Sequence, residues 1–278
     1  MFALSIVSGV EKQKKLLYTA PMKQPTPPKS VVTTPRLTKK DEFEAALADY
    51  HVSAAGQAIL KETPFVVIVG PTSGGRNTVI NLMLKTGHYY FIVSDTTRPP
   101  RQNNGVWEQE GVQYFFRKEA DMLKDIQQGL FLEAEIIHSQ QVSGVSIREI
   151  KKAHDAGKIA ITDVEIEGGI NVATLKPDAT AIYLVPPSFK EWLRRIHGRT
   201  AVTKEELRNR LEGAIKGFRL ALANPQCFTF VVNVDKDETA NIIDGVARLG
   251  KNHDAAQEEA RQLVRTIWDQ AEAYLNQM

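Results

Sequence analysis

The sequence predicts an α/β fold, a parallel sheet flanked by helices, and three observations carry that expectation. Short apolar runs recur at Phe65–Val69, Tyr89–Val93, Ile159–Val164, Ala179–Val185 and Phe228–Val232. Helical stretches at Ile147–Ala156, Phe189–His197 and Glu205–Ala223 separate several of them. A helical crossover returns the chain to a sheet running in the same direction, so alternation of this kind reads as parallel pairing. The first run enters Gly70-Pro71-Thr72-Ser73-Gly74-Gly75 and then a helix over Thr78–Lys85, which is the order of a phosphate-binding loop.

Residues 1–40 precede this core as a basic, proline-rich tail, with eight Lys or Arg against Glu11 alone and five prolines. Proline fixes φ and removes a donor, so neither helix nor sheet is supported there. A solvated tail is the favoured reading over a contact with nucleic acid or an anionic surface. From Met22 to Lys40 no aromatic residue offers a stacking platform. Residues 41–63 read as an amphipathic helical extension, one helix over Asp41–Glu62 with Phe43, Ala46, Leu47, Tyr50, Ile59 and Leu60 on its apolar side and Pro64 at its end. Residues 64–250 form the main domain. Within it Val112–Ile137 differs in texture: strand candidates Val112–Phe116 and Phe131–Ile137 flank one helix, as in an inserted subdomain. Residues 251–278 carry a last amphipathic helix over Ala255–Gln277, with Ala260, Leu263, Val264, Ile267, Ala271, Tyr274 and Leu275 at three- and four-residue steps. It either docks on its own domain or pairs with another subunit or a protein partner.

Composition excludes several classes. The 278 residues are 42% hydrophobic and 24% charged with a net charge of +2, ordinary for a globular chain. No apolar run nears the ~20 residues that cross a bilayer, so no membrane contact is expected. The apolar stretch at Met1–Val7 is short and has no positive charge before it, so a secretory signal is not expected either. The single cysteine, Cys227, rules out an internal disulfide framework and fits a cytoplasmic, reducing compartment. It precedes a strand candidate without an evident base and reads as core. The six histidines have no metal-ligand spacing.

The phosphate-loop pattern G-x-x-x-x-G-K-[ST] surrounds phosphates with backbone N–H groups, reaches the outer phosphates with lysine and holds magnesium through the hydroxyl. Gly70 and Gly75 stand at the required spacing, but Arg76 occupies the lysine position and Asn77 the hydroxyl position. Arginine keeps the charge in a bulkier planar fork. Asn77 offers only a neutral amide oxygen. Downstream come Ser94-Asp95-Thr96-Thr97-Arg98-Pro99-Pro100-Arg101, Glu108 to Phe116, Phe131-Leu132-Glu133, Ile161 to Gly168, Arg194-Arg195, Gly198-Arg199, Arg210 and Asn233. Two arginines three apart, on a turn stiffened by Pro99 and Pro100, are bidentate donors suited to a phosphate.

In this order and spacing the run from about Pro64 to Leu249 resembles the guanylate kinase family. The resemblance implies a P-loop nucleoside monophosphate kinase fold with a small inserted GMP-binding subdomain at about 95–146 and a lid at about 190–212. It implies that Gly70, Ser73, Gly74, Gly75, Arg76, Asn77 and Thr78 bind the ATP phosphates. Ser94, Arg98, Arg101, Glu108, Tyr114, Glu133 and Glu165 would bind GMP, Arg98, Arg101 and Tyr114 at its phosphate and Glu133 at the two adjacent donors of guanine. Asn233 would lie near the adenosine, while Arg76, Asp163, Arg195, Arg199 and Arg210 would act in transfer. Asp163 and Asn77 would support a weakly held Mg2+ accompanying ATP. The family aspartate is here Glu165, one family tyrosine is Ser143, and Gln102–Trp107 is longer than the usual connection. The resemblance therefore implies transfer of a phosphoryl group from ATP to GMP, giving ADP and GDP, slowed by Arg76 and Asn77. The alternative is a catalytically inactive module of the same fold that binds a nucleotide or a protein.

Overall fold

The computed structural model describes residues 37–103, 105–137, 139–198 and 202–278. Most of the basic tail, and Arg199 of the expected lid, lie outside them. Of the described residues, those up to Val52 together with Val93–Ser146 form one unit, and Ser53–Ile92 with Ile147–Met278 form the other.

The larger unit is built on a five-stranded sheet in the order Thr229–Val232, Thr180–Val185, Phe65–Val69, Ile159–Asp163, Tyr89–Phe91. Every neighbouring pair runs parallel. Phe65–Val69 is central and buried at all five positions, which is why it reads as a continuous apolar run. Alternate side chains face opposite ways. Val66 and Ile68 pack with Ile161, Ile182 and Leu184 against Val79, Ile80 and Met83 of the helix Arg76–Lys85 and Ala240 and Ile243 of the helix Lys236–Leu249. On the opposite face Val69 meets Gly169 of the helix Ile166–Leu175. Tyr183 there stacks 5.4 Å from Phe230 and 6.0 Å from Phe228. Helices thus cover both faces of a parallel sheet, the fold class anticipated from the alternation of elements.

The last helix, Gln257–Asn276, buries Ala260, Val264, Ile267 and Ala271 against its own unit, on the Thr229–Val232 and Thr180–Val185 strands and the helix Lys204–Ala223. Its first residue completes the sheet edge: the Gln257 amide donates to Phe230 O at 3.1 Å and accepts from Phe230 N at 2.8 Å. A side-chain amide thereby satisfies backbone groups that an edge strand leaves open.

The smaller unit holds a four-stranded sheet, ordered Phe115–Phe116, Asp95–Thr96, Gln141–Ser146, Phe131–Ile137, and the helix Glu119–Gln127. Its core joins Leu37 and Phe43 to Met122, Leu123, Ile126, Phe131 and Val142. The single helix expected over Asp41–Glu62 is two helices, Lys40–Ala48 and Ala54–Glu62. Ser53 breaks the run because its side chain caps the second helix, accepting from Gly56 N at 3.2 Å. The strand expected over Val112–Phe116 shrinks to Phe115–Phe116. Upstream, Gln113 turns its amide oxygen onto Gln109 N at 2.7 Å, and Gly111 N bonds to Tyr114 O at 2.9 Å, closing a turn instead.

The long connection at Gln102–Trp107 is a hairpin, Gln102–Asn103 against Val106–Trp107. Its base is closed by Glu108 N to Arg101 O at 2.9 Å, which keeps Arg101 beside Glu108.

Candidate functional sites on the two units

In the larger unit the glycine turn leaves the central strand at its C-terminal end, where parallel sheets place ligands, and runs into the N-terminus of the helix Arg76–Lys85. Gly75 is held at φ 108°, and a Cβ on it would fall 2.2 Å from Asn233 Nδ2. Only glycine fits there. Ser73 takes φ 63°, a conformation a serine adopts only under constraint. Its buried hydroxyl finds no hydrogen-bond partner among the described residues. Three side chains hold the loop from outside. Trp192 Nε1 donates to Thr72 O at 2.8 Å, Asn233 Nδ2 to Gly74 O at 2.8 Å, and Arg195 Nη1 to Gly74 O at 3.4 Å.

Arg195 also donates to Asn233 O at 3.2 Å and to Glu191 at 2.9 Å. Arg194 bonds to Glu191 as well but stands largely in solvent, 72% exposed against 22% for Arg195. Of the two adjacent arginines, Arg195 therefore faces the loop. Hydrogen bonds from Arg194, then Arg195, pull the Glu191 carboxyl down to about 2. Asn233 is buried, its amide oxygen accepting from Thr239 Oγ1 at 3.2 Å. Ser73, Gly75, Thr78, Arg195, Asn233 and Lys236 line part of a cavity of about 420 Å³.

Arg76 does not bend over the loop. Its guanidinium donates to Val164 O at 2.9 Å and stands 3.7 Å from Asp163 and 3.6 Å from Glu165. Glu165 belongs to this unit, as the residue before the helix Ile166–Leu175, and not to the unit of Arg98. Arg210 pairs with Glu206 on the helix Lys204–Ala223. Asn77 and Thr78 are exposed on the first turn of their helix. Asp163 and Asn77 supply oxygen donors of the kind a hard divalent cation takes, one anionic and one neutral. Among the described residues no group of three His, Cys, Asp or Glu gathers to complete a cage. The pair fits magnesium only where phosphates and water provide the other oxygens.

In the smaller unit Arg98 is buried and grips Glu108 with Nη1 and Nη2, at 2.5 and 2.9 Å. Its Cζ lies 4.7 Å from the Tyr114 ring centre, a cation–π arrangement that fixes the plane of the fork. Glu108 also accepts from Arg101 N at 2.9 Å. Burial is the largest influence on Glu108 and raises it. The Arg98 bond, the Arg101 N–H and both positive charges outweigh burial and hold it below the usual carboxylate range. The exposed Arg101 reaches Gln141 Oε1 at 3.4 Å. Gln141 leads through Ser143 to Thr96, with Ser143 Oγ donating to Thr96 Oγ1 at 2.9 Å.

Glu133, on the strand Phe131–Ile137, is buried. Loss of water, helped by the charge of Glu135, pushes its carboxyl up to about 8, against one stabilising bond from the Val145 backbone. Ser94 is half-buried and its carbonyl accepts from Phe115 N at 2.9 Å. The smaller unit therefore brings Arg98, Arg101, Glu108 and Tyr114 into contact, and it also carries Ser94 and Glu133. The larger joins Arg195 and Asn233 to the glycine loop and Asp163 and Glu165 to Arg76, while Arg210 is paired with Glu206 on its own helix. The sequence reading missed Trp192, Gln141 and Lys236. Of these, Lys236 was the most accessible, three residues after Asn233 at the end of a sheet strand.

A parallel sheet whose glycine turn feeds a helix N-terminus, with an arginine-rich segment following, defines a P-loop nucleoside monophosphate kinase fold. A family model described as guanylate kinase matches residues 62–248. A guanylate kinase of Sulfurimonas denitrificans is 33% identical over 156 residues, covering 55% of this chain and 73% of that protein. Guanylate kinase 1 of Arabidopsis thaliana is 36% identical over 151 residues, 54% of this chain but only 38% of its relative. A crystal structure of guanylate kinase from Anaplasma phagocytophilum superposes with a TM-score of 0.50 at 22% identity, over 69% of this chain and 89% of that one. This last likeness concerns the fold alone. The chain belongs to the guanylate kinase family.

Proposed function

We propose that the chain transfers a phosphoryl group from ATP to GMP, giving ADP and GDP, and that it does so slowly. The observation that carries this reading is Arg195, whose guanidinium contacts Gly74 O and Asn233 O at the mouth of the glycine loop. A positioned cation beside a nest of backbone N–H groups is suited to charge that develops on a transferring phosphoryl. The 420 Å³ cavity beside it would take the adenosine of ATP, with Asn233 at its wall. In the other unit Arg98 and Arg101 would take the GMP phosphate, Arg98 handing one of its two bonds from Glu108 to the ligand, with Tyr114 supporting. Glu133 would read the guanine edge, and Ser94 would contact the base as the family pattern implies. Arg199 and Arg210 belong to the proposed lid at about 190–212, which would close over the phosphates and exclude water. Asp163 and Asn77 would hold Mg2+, which when bound neutralises phosphate charge. The proposed domains are the acceptor subdomain at about 95–146 within a kinase-like domain at 64–250. We place the reaction in the cytoplasm, where a lone Cys227 stays reduced. No helix among the described residues is long and apolar enough to cross a membrane.

One observation favours a second reading. Arg76 is spent on Val164 O, Asp163 and Glu165, so the charge that the motif aims at the outer phosphates is turned away. On that reading the chain is a catalytically inactive nucleotide- or protein-binding module. Calorimetry with GMP, beside turnover in wild type and Arg98→Ala, separates the two. The kinase reading expects GMP-dependent ADP release that falls at least about 10²-fold in the variant. GMP binding without ADP release would establish the module.

A further inference from the structure

The helix Lys40–Ala48 and the turn after it lie outside residues 62–248, where the chain matches its family, yet they are built into the unit that carries Arg98 and Glu133. Phe43 is fully buried, and with Leu37, Ala46, Leu47 and Tyr50 it joins the same core as Met122, Ile126, Phe131 and Val142. The N-terminal end of this segment is pinned by Glu119, whose carboxylate accepts from Thr38 N, Lys39 N and Thr38 Oγ1 at 2.8–3.1 Å. The other end is pinned by Tyr50. Its hydroxyl donates to Phe131 O at 2.6 Å and accepts from Phe131 N at 2.9 Å, taking both backbone groups of one residue.

Phe131 is a sensitive place to hold. The strand Phe131–Ile137 pairs regularly with Gln141–Ser146 except at one step: Phe131 faces Ser146, and Glu133 faces Val145. Two residues therefore advance on one strand while one advances on the other. That is a β-bulge, a device that re-aims the side chain following it. The re-aimed side chain is Glu133, which receives the Val145 backbone bond and whose charge acts on the Tyr50 phenol. A strand that slips by one residue turns its side chains to the other face, so a bulge needs a fixed point on its open side.

We propose that Tyr50 is a positioning residue of the acceptor site: its paired bonds to Phe131 fix the bulge that aims Glu133. The appended N-terminal helix is then a working part of the acceptor unit, because its packed face is what brings Tyr50 to Phe131. The proposal rests on the reading of Glu133 as the guanine contact only for its effect on GMP. Its effect on Glu133 itself stands apart from that reading.

Tyr50→Phe keeps the ring in the core and removes only the hydroxyl. In the full chain the variant is expected to bind GMP about tenfold more weakly and to prefer GMP over AMP less strongly. ATP affinity at the glycine loop of the other unit should be unchanged. The carbon-13 titration of the Glu133 carboxyl should also move its midpoint. Glu119→Gln, which loosens the far anchor, should produce the same pattern in milder form and covers the case in which Tyr50→Phe does not fold. If Tyr50→Phe folds and leaves GMP affinity, base preference and the Glu133 midpoint as in wild type, the proposal is overturned. Should wild type fail to bind GMP while the midpoint still moves, the positioning role stands and the acceptor reading falls.

Discussion

Glu133 concentrates the residue-scale chemistry. A carboxyl at about 8 in the fold, against 4.5 when solvated, is neutral in the folded chain at pH 6 to 7 and ionised in the unfolded one. Its contribution to stability is fully present below about 4.5 and is lost as pH rises towards about 8. We expect the thermal midpoint of wild type to decline across that window relative to Glu133→Gln, whose profile lacks the decline. Parallel profiles would contradict the assignment. The same group sets a sign for ligand binding. Guanine offers two donors on one edge, which an ionised carboxylate accepts and a protonated one does not fully accept. GMP affinity should therefore strengthen with pH, by about tenfold per pH step below the midpoint, with one proton released on binding. Calorimetry in buffers of different ionisation heat reads that proton. Arg76 is the second decisive residue. Its fork suits two carboxylates and a carbonyl together, which an ammonium serves less well, and this accounts for its turn toward Asp163 and Glu165.

At the scale of elements, the hairpin Gln102–Trp107 is an addition that leaves the site intact, because Glu108 N closes on Arg101 O at its base. Replacing Gln102–Trp107 by Asn-Gly, a two-residue turn that suits antiparallel strands, should leave GMP affinity within about twofold of wild type. A loss beyond tenfold would mean that the hairpin itself contacts the acceptor. Elements also differed in how far the sequence disclosed them. The five parallel strands were legible because burial on both faces demands unbroken apolar runs. Phe131–Ile137 and Phe189–His197 were placed to the residue. The strand Gln141–Ser146 was not seen. It is half polar and interrupted by Gly144, whose added Cβ would come 2.5 Å from Glu133 O, so close backbone approach removed the side chain that would have signalled a strand. The break at Ser53 was hidden because Phe43, Ala46, Leu47 and Tyr50 keep a helical spacing almost up to it, although Tyr50 points to Phe131. Arg98, Glu108 and Tyr114 were found as an ordered motif. Trp192 was not, since a tryptophan on an apolar helix face reads as core, and nothing local tells that its indole N–H meets Thr72 O.

At the scale of the whole molecule, the helices Lys40–Ala48 and Gln257–Asn276 each pack within their own unit. The last helix buries its apolar face on its own sheet. That is the docking role weighed for it from sequence; self-association or a protein partner through its remaining surface stays a proposal. We propose that the glycine loop still works with Arg76 at the lysine position. Its most direct test is ADP formation from ATP with GMP as acceptor, in wild type, Arg76→Lys and Asp163→Ala, with AMP, CMP and UMP as control acceptors. We predict slow, GMP-specific turnover in wild type, a gain of about tenfold or more in Arg76→Lys, and loss in Asp163→Ala. Wild type without any GMP-dependent ADP, beside an active Arg76→Lys, would contradict it and leave a binding module on a kinase fold.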